Sequence, residues 1–151
     1  MSVDRRCLSL TRPWEQVILH GPKRIENRKH PPPPAVLGQH VLLHAARSRE
    51  DGDGLDFIAA RWPGFDRALA HDPAGIGLLV GAARIVGCTS DRDDPWYTGP
   101  WGWVLTDVVA FDRPLGPVRG MLGCWRVPEA LRDEAEAALD LALRAARDRQ
   151  C

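Results

Sequence analysis

The sequence predicts an α+β domain on two observations: three apolar, β-prone runs bounded by turn residues, and a long amphipathic helix pattern confined to the C-terminal end. The runs are His40 to Ala45 (H-V-L-L-H-A) behind Gly38, Leu78 to Val86, and Trp101 to Phe111. With 151 residues and 44% hydrophobic content, the chain can bury one real core and not two, so residues 1–151 read as a single domain.

The remaining elements follow in order. Cys7 to Leu10 is a short apolar piece. Thr11 as N-cap and Pro13 in the first turn then predict a helix to about His20, which Gly21-Pro22 stops. Lys23 to Arg28 reads as a short strand running into Pro31 to Pro34, a tract that fits neither a helix nor a central strand. Leu55 to Arg61 reads as a helix behind an Asp53 cap. Asp91 to Pro100 (D-R-D-D-P-W-Y-T-G-P) marks an exposed loop of the length used for binding or as a lid. From Pro128, acids come early (Glu129, Asp133, Glu134, Glu136) and arginines late (Arg144, Arg147, Arg149), which matches a helix macrodipole. Leu131, Ala135, Ala138, Leu139, Ala142 and Ala146 recur at helical spacing and give that helix one packing face.

Bulk properties narrow the function classes. Apolar stretches such as Gly75 to Gly81 fall far short of the roughly 20 residues of a membrane span, and the N-terminal residues carry no apolar core of a secretory signal. The expectation is a cytoplasmic protein without a membrane partner. Cys7, Cys88, Cys124 and Cys151 are scattered with no ligand spacing, which speaks against zinc and against a disulfide framework, so neither a metal nor a cofactor is expected. Net charge is zero, but its distribution is uneven. Basic against acidic residues number nine to four over 1–50, four to eight over 51–100 and seven to eight over 101–151. A basic first third suits phosphate contacts; a scatter of solvated arginines fits the same count.

Four blocks in order carry a family resemblance: L-S-L-T-R-P-W-E-Q-V-I-L-H-G-P-K-R-I-E-N-R from Leu8, G-Q-H-V-L-L-H-A-A-R from Gly38, W-G-W-V-L from Trp101 and R-G-M-L-G-C-W from Arg119. The chain resembles the ASCH family of PUA-like domains over nearly its whole length, with the G-x-K-x-x-E-x-R signature at Gly21, Lys23, Glu26 and Arg28. The resemblance implies a small β-barrel surrounded by helices, with a C-terminal helix and a cleft beside the signature, in a superfamily tied to RNA, modified nucleosides and DNA. Some small relatives are hydrolases of acetylated cytidine or ribonucleases. The implied function is therefore binding of RNA, DNA or a nucleotide, with a hydrolase of a modified nucleoside or a ribonuclease as the alternative, Lys23 and Glu26 then taking acid/base roles. The amidohydrolase branch carries a threonine where Glu26 stands here, so water would have to replace a hydroxyl nucleophile.

The residues themselves favour Gly21 to Arg28 as the polar working site. Of 20 basic residues only Lys23 and Lys29 are lysines, so a lysine at the signature position is informative: it offers a compact ammonium rather than a planar fork. Alternation along a strand would put Arg24, Glu26 and Arg28 on one face. Glu26 would read an amino edge or orient Lys23, while Arg28 suits a phosphate or a structural ion pair with Glu26. Trp14 would stack on a base or pack in the core, and Ser9 with Arg12 would bind phosphate at a helix N-terminus. His44, at a strand end ahead of Arg47, would reach the cleft mouth or be a satisfied core histidine. Trp103 is expected in the core, and Trp96 or Tyr97, in the loop, against ligand. Asp91, Asp93 and Asp94 would supply a second carboxylate or simply be solvated.

Overall fold

The computed structural model describes residues 4–150; Cys151 lies outside them. Six strands form one curled half-barrel sheet in the order β2-β5-β4-β3-β1-β6. They are β1 (Arg6–Arg12), β2 (Ile25–Arg28), β3 (His40–Arg49), β4 (Leu79–Thr89), β5 (Trp101–Leu115) and β6 (Cys124–Arg126). Only β1 and β3 run parallel, with Ser9 opposite His44, and every other pair is antiparallel. Three α-helices complete the fold of the described residues: α1 (Trp14–Leu19), α2 (Gly52–Arg61) and α3 (Arg132–Arg149). The α+β class is thus observed, with an open, curled sheet.

Alternation along the strands divides the core in two. Leu8, Leu10, Val41, Leu43, Ala45 and Ile85 pack with Ile18 of α1, whereas Cys7, Leu42, Ala82 and Val109 pack with Ala135 and Leu139 of α3. The predicted apolar stripe of α3 is the face that docks, with Leu131, Ala138, Ala142 and Ala146 flanking it. A smaller cluster of Val17, Ile25, Ile58 and Trp96 ties α1, β2, α2 and the 91–100 loop together.

Three local expectations are corrected. Thr11 does not cap α1: it lies within β1 at the irregularity between Leu10 and Arg12, its hydroxyl bonds Ser48 Oγ at 3.2 Å, and Pro13 holds the cap position without a side-chain bond. Asp53 lies inside α2, behind Asp51 at the cap. Each long strand overshoots its apolar run, β3 to Arg49 and β5 to Leu115, because ladder pairing continues past the point where both faces are buried.

Candidate functional site

Two clefts share Ser9 and Thr11, at the C-terminal half of β1, as a common wall. The first, of about 450 Å3, is built on the Gly21 to Arg28 segment. Gly21 ends α1 so tightly that a Cβ there would lie 2.7 Å from the Val17 carbonyl oxygen and 2.9 Å from the Trp62 ring, and no larger residue fits without displacement. The chain then turns straight into β2, which brings Lys23 under the sheet edge.

Lys23 is 3% and Glu26 8% exposed. Lys23 Nζ donates to Glu26 Oε1 at 2.9 Å, and Arg28 Nη1 donates to Glu26 Oε2 at 3.2 Å. Each oxygen of the carboxylate keeps a further acceptor site. The two cations also face aromatic rings: Lys23 Nζ is 5.2 Å from the Trp14 centroid and the Arg28 guanidinium 5.7 Å from that of Trp103. The charged triad is therefore Lys23, Glu26 and Arg28. Arg24, expected on that face, turns away, and its Nη1 donates to the carbonyls of Ile18, Gly21 and Lys23, where a cation at the end of α1 is favoured.

Aromatic walls rise from this floor. Trp14 meets Trp96 and Phe57 edge-on, with centroids 6.4 and 6.1 Å away, and Phe57 meets Trp96 at 6.1 Å. Trp14 is held by Nε1 donating to Glu50 Oε1 at 2.8 Å. Asn27, which also lines this cleft, latches the 91–100 loop: Nδ2 donates to the Trp96 carbonyl, and Oδ1 accepts from the amides of Thr98 and Gly99. Trp103 is buried, as expected, its Nε1 donating to the His30 carbonyl. Trp96 is buried as well, yet it lines the cleft.

The second cleft, of about 900 Å3, lies beside the Gly116 to Gly123 segment and contains His44 and Arg47. The Val118 carbonyl can only accept, so His44 Nε2 carries a proton and donates to it at 2.9 Å. In the neutral ring, Nδ1 then accepts from the Ser9 hydroxyl at 3.0 Å, and Ser9 Oγ accepts from Trp125 Nε1 at 3.1 Å. Gly120 closes over this chain: a Cβ there would lie 2.5 Å from Ser9 Oγ.

Several expected site residues are placed elsewhere. Arg12 is buried and offers nothing to a phosphate, because its Nε, Nη1 and Nη2 donate to the carbonyls of Ala46, Asp72 and Arg47. It ties the end of β3 to the 72 turn. Tyr97 lines neither cleft, and its hydroxyl donates to the Pro100 carbonyl. Asp91 and Asp94 accept amides within their own loop, so they are turn residues rather than partners of Lys23. The other carboxylates of the first cleft are Glu50 and Asp53. These, with Phe57, escaped the sequence reading, as did Arg119, Met121 and Leu122 in the second cleft. Only the aromatic Phe57 at helical spacing from Asp53 carried a signal.

Cys7, Cys88 and Cys124 are free, and burial pushes the Cys7 thiol up to about 12, which makes it inert. Among the described residues no group of three or more His, Cys, Asp or Glu side chains is placed to hold a metal ion, and no helix is long and apolar enough to cross a membrane. Compared with known proteins, the chain matches no protein-family model and no curated sequence.

Proposed function

We propose that this chain is an ASCH-type, PUA-like domain whose first cleft binds an unstacked base of an RNA or DNA strand. The observation that carries the reading is the joining of a buried Lys23–Glu26–Arg28 ion network to a wall of Trp14, Phe57 and Trp96 within about 450 Å3, inside the range of roughly 300–1,000 Å3 that suits small ligands. A base needs a π-face to stack on and polar groups for its edge. Trp14 and Phe57 line the cleft for the first, each with one face already under a cation, Lys23 at 5.2 Å and Arg61 at 3.4 Å from the ring centroids. The unused acceptor sites of Glu26 suit an amino edge, and the remaining donors of Arg28, whose side chain keeps 21% exposure, suit a carbonyl or a phosphate.

The hydrolase reading is the weaker one. Lys23 faces the Glu26 carboxylate at 2.9 Å, at the position where the amidohydrolase branch carries a threonine. Fluorescence titration at low salt tests the binding reading, since Trp14 lies in the cleft. Nucleosides and short single strands should quench the tryptophan signal saturably, and Lys23→Ala should weaken the effect at least tenfold. No saturable change with any nucleoside or strand removes the reading, and mass spectrometry of acetylated cytidine left with the protein would reveal turnover if the hydrolase alternative holds.

A further inference from the structure

The second cleft differs from the first in its charge. None of its lining residues is an acid, whereas the first is lined by Glu26, Glu50 and Asp53. Its cations, Arg47 and Arg119, are exposed, and among the described residues neither guanidinium has a carboxylate within ion-pair distance. The hydroxyls of Thr11 and Ser48, both on its lining, form a bonded pair. Met121 and Leu122, at 64% and 100% exposure, form an apolar rim next to Arg119.

From this we infer that the second cleft binds backbone phosphates of the strand whose base occupies the first cleft, so that the ligand is a single-stranded oligonucleotide rather than a free nucleoside. The inference rests on the base-binding reading of the first cleft. Three features support it. The clefts adjoin at Ser9 and Thr11, two small, half-buried side chains that line both, so one strand can reach from one to the other over that wall. Carboxylates repel a phosphate path, and they are confined to the first cleft, where a base is the uncharged part of a nucleotide. Unpaired guanidiniums beside hydroxyls are the groups that contact phosphodiesters most often. The Ser9–His44–Val118 chain, with every bond between its members made, fixes the Gly116 to Gly123 segment against β1 and β3 and so keeps Arg119 on the lining of the cleft that Arg47 also lines.

Fluorescence anisotropy with labelled RNA and DNA single strands of one, three, six and nine nucleotides tests this, alongside the unphosphorylated nucleoside. Affinity should climb from nucleoside to six nucleotides, and the slope of log affinity against log salt should steepen. In the Arg47→Ala/Arg119→Ala double variant, checked for an unchanged melting temperature, the slope for the hexamer should fall by about 1.4, since each phosphate contact on a single strand contributes about 0.7. Hexamer binding no tighter than nucleoside binding, or a double variant with the wild-type slope, overturns the inference. So does uptake by anionic phospholipid vesicles that requires both arginines while oligonucleotide binding does not, because the cationic, apolar-rimmed cleft would then be a lipid site. Failure of the underlying reading looks different: neither nucleoside nor oligonucleotide binding responds to Lys23→Ala.

Discussion

The two clefts handle charge in opposite ways. In the first, the one carboxylate of Glu26 pairs with both Lys23 and Arg28 at ion-pair distances beside aromatic rings; in the second, Arg47 and Arg119 stand in solvent with no partner among the described residues. A buried network is costly to break and rigid, so it preorganises a shape and a pattern of donors and acceptors for one group. Exposed cations cost the fold little and act at a distance that salt controls. The contrast suits one cleft to selecting a group by geometry and the other to holding a polyanion by charge.

The largest effect should come from breaking the buried network. Glu26→Ala leaves the Lys23 ammonium, 3% exposed, without its counter-charge, which costs about 3–5 kcal/mol of stability. Denaturant unfolding measures it. Glu26→Ala combined with Lys23→Met should recover most of that loss, because an apolar chain of similar length fills the site beside Trp14. A single variant as stable as the wild type would mean that water reaches Lys23 freely, and the distinction between the clefts would collapse.

The sequence resolved these two regions unequally, for physical reasons. Gly21, Lys23, Glu26 and Arg28 are close in sequence, and their types alone suggested a polar site; what alternation misjudged was Arg24, because the turn at Gly21 points its side chain to the end of α1. The α3 stripe and the three long strands were legible from period and β-propensity, since one face of each is buried. The second cleft was not legible as a unit. It gathers Ser9, His44, Arg47 and Arg119 from β1, β3 and a connection after β5, and the pairing of Ser9 with His44 depends on a parallel register that no local pattern reveals. Arg12 misled for the same reason: an arginine near a helix start fits a phosphate, yet the fold turns it onto three carbonyls.

A smaller effect should follow at the shared wall. Ser9→Ala removes the hydroxyl that joins His44 Nδ1 to Trp125 Nε1, leaving the donor and acceptor of two buried residues unsatisfied, at about 1–3 kcal/mol. Gly120→Ala strains the same place by a clash, since its Cβ would stand 2.7 Å from His44 Cε1. If the wall also sets the position of Arg119, Ser9→Ala should weaken hexamer binding more than nucleoside binding. Equal losses for both ligands would show that the wall serves stability alone.

Glu15 offers the finest contrast, because it is a buried carboxylate without the partners that Glu26 has. It is 4% exposed; Oε2 accepts from Gln16 Nε2, while Oε1 has no partner. Burial raises its pKa above the ordinary value of 4.5, and the Gln16 bond and the Arg12 charge only partly offset this. The folded protein therefore holds this proton more tightly than the unfolded chain does. Stability from this group is greatest below pH 4.5 and declines as pH rises from there through the raised folded value, beyond which the penalty is constant. Glu15→Gln removes the titration while keeping the shape. Its melting temperature should exceed that of the wild type at neutral pH, and the difference should shrink to nothing near about pH 4. A Glu26→Gln variant, which removes a charge that Lys23 and Arg28 stabilise, should shift in the opposite direction at neutral pH; if both substitutions move the melting temperature the same way, the pairing of Glu26 is not what separates these two carboxylates.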